Sequence, residues 1–215
     1  MHIAKGGLSW ILSALFFCII FSFLSFLLIN YYQQLFIFIS ICFGLLTLVF
    51  IVFFRDPERT IGSGIVAVAD GIIREIKTVE DDDIGNAWLI STFMNIYHVH
   101  VNRMPLDGTI QNVTHIPGSH LPAFTKESKR NERVILLVKT NLGVVKIVLI
   151  AGTLARRIVP YVKKGKMLNK GEKISLIRLG SRVDVYLPKI ETISMNVHVK
   201  DRVKAGGSNI ATSNV

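Results

Sequence analysis

Two histidines two residues apart, and a serine directly after a glycine, are the residues of this chain best suited to chemistry. In AWLISTFMNIYHVHVNRMPLDG, Ala87 to Gly108, a period-two strand reading puts Ile96, His98, His100 and Asn102 on one face and Tyr97, Val99, Val101 and Arg103 on the other. Imidazole titrates near working pH, so a general base is the first expectation for this pair. Half of a zinc site is the other, although no carboxylate or cysteine stands nearby at ligand spacing. In LIRLGSRVDVYLP, Leu176 to Pro188, two β-branched runs, Ile174 to Leu179 and Val183 to Leu187, are interrupted only by Gly180 and Ser181. Glycine offers no Cβ to block the strained approach of the Ser181 hydroxyl to its own peptide carbonyl, so an internal N-to-O acyl shift is open to this bond. Context must single it out, because Gly-Ser recurs at 62–63, 118–119 and 207–208.

The elements that must position these residues are mostly strands. IVAVA, Asp70-Gly71 and IIREIK read as strand, tight turn, strand, which makes Asp70 a turn residue unless a site claims it. The acidic run Glu80 to Asp83 reads as a solvated loop, and RVILLVKT and VVKIVLIAG as a hairpin around Asn141-Leu142-Gly143. Between them lies a basic, turn-rich connection with Lys126, Lys129, Arg130 and Arg133. Its cations are either solvated charge or partners for a lipid phosphate. Arg156 and Arg157 follow on an otherwise apolar segment. YVKKGKMLNKGEKISLI, Tyr161 to Ile177, and VHVKDRVKAGGSNIA, Val197 to Ala211, form a weak internal repeat that resembles the turn pattern of biotinyl/lipoyl-type barrel sandwiches.

The front of the chain differs from all of this. From Gly6 through Phe54 there is no Asp, Glu, Lys or Arg, and Leu8 to Ile29 and Leu35 to Phe54 are apolar runs each long enough to cross about 30 Å of hydrocarbon. NYYQQ between them suits the far interface of a helical hairpin. Lys5 before the first run, with Arg55 and Arg59 after the second, predicts both ends, and hence the domain, on the cytoplasmic side of the cell membrane. FFRDPERTIG, Phe53 to Gly62, reads as a solvated hinge. The expected division is a two-span anchor, 1–54, and a β-rich domain, 55–215, in a mainly β protein. Both cysteines, Cys18 and Cys42, lie in the anchor, so the domain has no disulfide, thiolate metal site or cysteine nucleophile. The net charge of +10 suits an anionic membrane surface better than nucleic acid, which is not an expected partner.

FFRDPERT, AVADGII, HVHVNRMPLDG, PAFTKESKRNERV, IAGTLARRIV and RLGSRVDVYLP together resemble, in order and over nearly the whole domain, the short bacterial and archaeal form of the phosphatidylserine decarboxylase family. The resemblance implies a proenzyme that cuts itself between Gly180 and Ser181 into a membrane-bound β chain, 1–180, and an α chain, 181–215, that stay paired. Ser181 becomes a pyruvoyl group, so neither a metal nor pyridoxal phosphate is needed. That ketone forms a Schiff base with the serine headgroup of phosphatidylserine or archaetidylserine, and carbon dioxide leaves. The PAFTKESKRNERV stretch inclines toward the archaeal lipid. Asp70 and His100 are implied as orienter and base, with His98, Arg103, Arg130 and Arg133 as auxiliary or headgroup residues. Arg103 stands where long-form members carry a second histidine, and His98 where many short-form members carry Asp or Asn, which leaves the division of roles among Asp70, His98 and His100 open. Two other readings compete: a non-enzymatic, membrane-tethered adaptor for a protein partner, and a hydrolase using Ser119 or Ser63, neither of which sits in a G-x-S-x-G elbow.

Overall fold

The computed structural model describes residues 2–28, 31–119, 131–152, 158–178 and 181–213. Gly180 and Arg130 therefore lie outside the described residues, as do Lys126, Lys129, Arg156 and Arg157. The chain divides into two compact units, Met1–Glu58 and Arg59–Val215.

The first unit is an antiparallel helical hairpin closed by a two-stranded ribbon. β1 (His2–Ile3) pairs with β2 (Arg55–Asp56), and α1 (Leu8–Leu27) and α2 (Tyr31–Phe53) lie between them. Both helices are long and apolar enough to cross a membrane. Phe17 and Phe21 of α1 pack on Phe43 of α2 with ring centroids 5.3 and 5.6 Å apart, while residues such as Phe26 (84 % exposed) and Phe38 turn outward. Two expectations are corrected here. The tyrosines of NYYQQ open α2 rather than forming the turn, because nothing in that polar stretch breaks a helix. The RDPER segment is not a solvated hinge: Asp56 is buried in β2, Arg55 Nη1 donates to the carbonyl of Val52, and Arg59 belongs to the second unit, paired with Asp70.

Among the described residues the second unit is strand and turn. In chain order it contains β3 (Ile65–Val66), β4 (Gly71–Asp81), β5 (Gly85–Met94), β6 (Val101–Arg103), β7 (Gly108–Ile116), β8 (Arg133–Thr140) and β9 (Gly143–Ala151). There follow β10 (Ile158–Pro160), β11 (Met167–Leu168), β12 (Lys173–Ile177), β13 (Ser181–Pro188), β14 (Ile193–Met195), β15 (Arg202–Val203) and β16 (Asn209–Ser213). The large sheet runs β11-β7-β8-β9-β13-β5-β4-β15, and two small sheets run β10-β12-β6 and β14-β16-β3. Alternate residues of β8, β9 and β13, among them Leu136, Ile147, Leu149, Val183 and Val185, build the core on one face of the large sheet.

This order is a duplication. β3-β4-β5 and β13 to β16 form one half, and β6 to β12 form the other, inserted whole between β5 and β13; the halves meet at the β9·β13 pair. The correspondence reaches individual bonds. Ile73 N–H donates to Asp201 O and accepts through its carbonyl from Lys200 N–H, as Ile110 does with Lys166 and Gly165. Gly206 N–H donates to Ala67 O as Gly171 N–H does to Met104 O, both glycines at positive φ (74° and 82°). Each half also carries a bulge at the same place, between Ile73 and Glu75 and between Ile110 and Asn112. The weak repeat in the sequence is the most local part of this arrangement. In each copy, a two-residue strand (β11, β15) pairs with an edge of the large sheet and a longer one (β12, β16) is the centre of a small sheet.

Candidate active site

Ser181 is the first residue of β13, stands opposite Ala151 of β9 and Met94 of β5, and is fully buried. Its hydroxyl donates to the Met94 thioether, Oγ to Sδ 3.2 Å. The two runs around Gly180-Ser181 are two separate strands, as the sequence predicts. β12 ends at Ile177 in a small sheet and β13 begins at Ser181 in the large one, so the bond between 180 and 181 falls at a crossing between sheets. In the inserted half the corresponding hairpin, β8 to β9, is closed by the two residues Asn141 and Leu142, as the sequence predicts. In the other half that hairpin is open, and Met94 and Ser181 are its separated ends.

His100 is tied to this opening from both sides. The amide of Ile177, four residues before Ser181, donates to His100 O (3.2 Å), which leaves three residues, at most about 10 Å of chain, from there to residue 180. On the other side only residues 95–99 separate His100 from Met94. The single strand expected from 87 to 108 does not form. Asn95 ends it: its side-chain carbonyl accepts from Ile96 N–H (2.7 Å), its own N–H donates to His98 Nδ1 (2.9 Å), and His98 N–H closes on Asn95 O. His98 and His100 are thus not neighbours on a strand face. Their link is through the backbone: His100 Nδ1 lies 2.9 Å from His98 O. A carbonyl only accepts, so Nδ1 carries a proton, which leaves Nε2 as the atom of this fully buried imidazole that could act as a base.

Asp70 is not in a hairpin turn either, because β3 and β4 belong to different sheets. Gly71 is required for closeness: a Cβ there would overlap the carbonyl oxygen of Phe93. Asp70 Oδ2 accepts from Arg59 Nη2 (2.7 Å) and Oδ1 from Ala205 N–H (2.7 Å). Ile72, Phe93 and Arg182 stand in one row across β4, β5 and β13, so Asp70 lies at the Ser181 end of the sheet, two strands and about 10 Å away. Arg103 is buried and donates to Gly171 O (3.0 Å), packing against the turns at Gly171 and Gly206. Arg133 shares its row with Ile150 and Arg182, one position along from Ser181 and so on the opposite face of the sheet.

Several residues at this end carry no signal in the sequence. Asn131 Nδ2 donates to the carbonyl of Ala151, the residue opposite Ser181, and Glu132 pairs with His115 Nε2 (2.9 Å). Both lie in KRNERV, where the cations dominate a local reading. Ser119 gives its hydroxyl to Asn131 Oδ1 and Ser63 takes Asn209 Nδ2, so each has a structural partner. Among the described residues no three His, Cys, Asp or Glu gather as a metal site. The acidic run is only partly a loop: Asp81 ends β4, and with Asp83 it holds Lys146 Nζ at 2.8 and 2.7 Å.

Comparison with known proteins points the same way as this geometry. The profile of the phosphatidylserine decarboxylase family matches residues 46–211. Over 159 residues the chain is 46% identical to the phosphatidylserine decarboxylase proenzyme of Streptomyces avermitilis and 48% identical to that of Streptomyces griseus, covering 74% of this chain and 71% of each relative. A Methanosarcina barkeri protein provisionally named archaetidylserine decarboxylase proenzyme is 36% identical over 213 residues, 98% of both chains. The chain belongs to the phosphatidylserine decarboxylase family.

Proposed function

We propose that the chain is a self-processing, pyruvoyl-dependent decarboxylase that converts a serine-headgroup phospholipid, phosphatidylserine or archaetidylserine, to the ethanolamine lipid and carbon dioxide. The observation that carries this reading is the seat of Ser181. It is a fully buried hydroxyl at the open end of a hairpin, four residues beyond a strand held against His100.

In self-cleavage the Ser181 Oγ attacks the Gly180 carbonyl carbon and its proton passes to His100 Nε2. The C–N bond breaks as the nitrogen takes up a proton, leaving an ester. Removal of the Ser181 Hα then expels the Gly180 carboxylate, and one water hydrolyses the remaining enamine, releasing ammonia and leaving a ketone on residue 181. Met94 and Ala151 form an apolar wall that fits such a neutral, compact group and keeps bulk water from it. The pyruvoyl group supplies an electron-withdrawing carbonyl that condenses with the lipid amine and draws off the electron pair released with carbon dioxide. His100, whose Nδ1 lies 2.9 Å from the His98 carbonyl oxygen, would return a proton to the carbon that loses its carboxylate. Asp70 acts as a positioning residue through Arg59 and the Ala205 amide. The distribution of Lys5, Arg55 and Arg59 about the two apolar helices favours a cytoplasmic domain.

Denaturing electrophoresis with intact-mass measurement tests the proposal. The wild-type chain should run as two pieces, the smaller starting with a ketone in place of Ser181, while Ser181→Ala should stay whole and release no carbon dioxide. An unbroken wild-type chain that decarboxylates, or a Ser181→Ala chain that splits, would remove the assignment.

A further inference from the structure

Asn102 of β6 and Ser175 of β12 stand opposite each other, both fully buried, and Asn102 Nδ2 donates to Ser175 Oγ (2.9 Å). The duplication shows that the fold does not require them. Asn102 stands as far before Asp107 as Ile65 stands before Asp70. In that half Ile65 faces Ala211 across β3 and β16, at the same step past a bulge in the same place, and both are core residues. One position thus takes an isoleucine and an alanine in one half, and an amide and a hydroxyl in the other. The polar pair is also incompletely bonded. Asn102 Oδ1 has no hydrogen-bond partner among the described residues, and because Ser175 Oγ accepts, its own hydrogen is left for another acceptor. Turning the amide over would only exchange which end is left. A buried polar atom without a partner weakens a fold, so a pair kept in that state points to a ligand.

The position of the pair says which ligand. Ile177 N–H donates to His100 O, so the ladder runs on from Asn102 and Ser175 to His100 and Ile177, and by strand alternation these four side chains share a face. The two chains then continue to Met94 and Ser181, the ends of the opening. The pair therefore sits one rung behind His100, about 7 Å along the strand. Resting on the self-processing reading above, we propose that Asn102 and Ser175 are positioning residues that keep one water in this apolar interior for the hydrolysis that completes the ketone. Met94 and Ala151 wall the site off from bulk water, yet that step consumes a water. A water that accepts from the Ser175 hydroxyl and donates to Asn102 Oδ1 satisfies both groups, and keeps a hydrogen and a lone pair for the reaction. Its oxygen adds to the carbon of residue 181 that carries nitrogen. Its two protons end on the methylene, now a methyl, and on the departing ammonia. Enamine and water give ketone and ammonia, with no oxidant or reductant.

The test follows the full chain as it is made in cell-free synthesis with phosphatidylcholine vesicles. Samples are quenched with borohydride, which reduces a ketone on residue 181 to an alcohol and a retained imine to an amine, and the small piece is read by intact mass. In the wild type the cut and the ketone should appear together. Asn102→Ile/Ser175→Ala, which copies the other half, should melt no lower than the wild type and still cut, but ketone and ammonia should form roughly tenfold more slowly. Ser175→Thr and Ser175→Val have the same shape, so any strain is common to both, and only the valine variant should lag. In crystals of the uncut Ser181→Ala chain an ordered water should bridge Asn102 and Ser175. Prompt ketone formation in the double and valine variants, an equal lag with threonine and valine, or a dry pair would each reduce Asn102 and Ser175 to packing and leave the decarboxylase reading intact. A wild-type chain that never cuts would remove that reading and this inference together.

Discussion

Asp70 and Asp107 occupy equivalent places in the two halves and share half of a task. Each precedes the glycine that opens a long strand, and each accepts a backbone amide from the facing turn, Ala205 N–H at 2.7 Å and Lys170 N–H at 2.6 Å. Asp70 alone adds an arginine on its second oxygen, at the end of the sheet where Ser181 lies. Arg59 therefore distinguishes the aspartate at the Ser181 end of the sheet from its counterpart at the other end. Because Asp70 fixes the start of β4 against the end of β5, whose Met94 contacts Ser181 Oγ, loss of the arginine should loosen that seat. A charge-assisted hydrogen bond contributes about 1.5–3 kcal/mol, so Arg59→Ala should slow self-cleavage by roughly ten- to a hundredfold, with Arg59→Lys recovering part of the rate. Asp107→Asn should cleave at the wild-type rate. Time courses of fragment appearance, beside melting curves for each variant, check this; equal slowing in Arg59→Ala and Asp107→Asn would reduce Arg59 to general stability. The strands on either side of Ser181 are legible in the sequence because their β-branched runs are a local signal. Arg59 is not, since its partner is fixed only by the fold and RDPER reads locally as solvated charge.

At the scale of elements, the sequence is a good guide where a turn is closed by its own residues and a poor one where a strand is ended by tertiary context. Asn141-Leu142 joins β8 and β9 as expected. Asp70-Gly71 carries the same kind of signal, yet it starts a strand whose nearest chain neighbour lies in another sheet, and Asp107-Gly108 does likewise. Period two runs on through His98 and His100 because their alternation is real, while Asn95 stops the strand with its own side chain. The Glu80–Asp83 run hides a cross-sheet cluster for a similar reason, as Lys146 lies far along the chain. There burial pushes the Lys146 ammonium down, but the hydrogen bonds and charges of Asp81 and Asp83 push it further up, to a net value above the ordinary 10.5. Burial, then the neighbouring Asp184, raises the Tyr186 phenol above 10.0. Both groups hold their protons to higher pH in the folded chain, so their contribution is complete below the unfolded values and is lost as pH climbs through the folded ones. Lys146→Met should lower stability by roughly 1–3 kcal/mol, a few degrees of Tm at pH 8. The gap to wild type should narrow above about pH 10.5 in a thermal melting series; a gap independent of pH would mean that packing rather than charge holds the cluster.

For the whole molecule, one half threaded into the other explains how a backbone break could leave the fold standing. The proposed cut falls where the inserted half returns to its host, and among the described residues no strand spans it. Residues beyond it then supply β13 to the middle of the large sheet, β15 to its edge on β4, and β16 to the small sheet beside β3. β13 pairs with β5 from Ser181↔Met94 to Pro188↔Ala87 and with β9 from Ser181↔Ala151 to Tyr186↔Lys146. Its inward residues Val183, Val185 and Leu187 are essentially buried and contribute about 1.5–3 kcal/mol each, before any backbone hydrogen bond is counted. Releasing the fragment 181–215 would expose all of these together, leave β5 and β9 each with an unpaired edge, and strip β3 of its partner β16 and β4 of its outer partner β15. The cleaved protein should therefore elute from a sizing column in mild detergent as one species containing both pieces, and should separate only in denaturant. Val185→Asp places an unpaired carboxylate among Ile147, Leu149 and Ile90, and should shed the fragment at denaturant concentrations where the wild type keeps it. If the small piece of the wild-type protein came away under native conditions, β13 would not be the strand that holds the two products together.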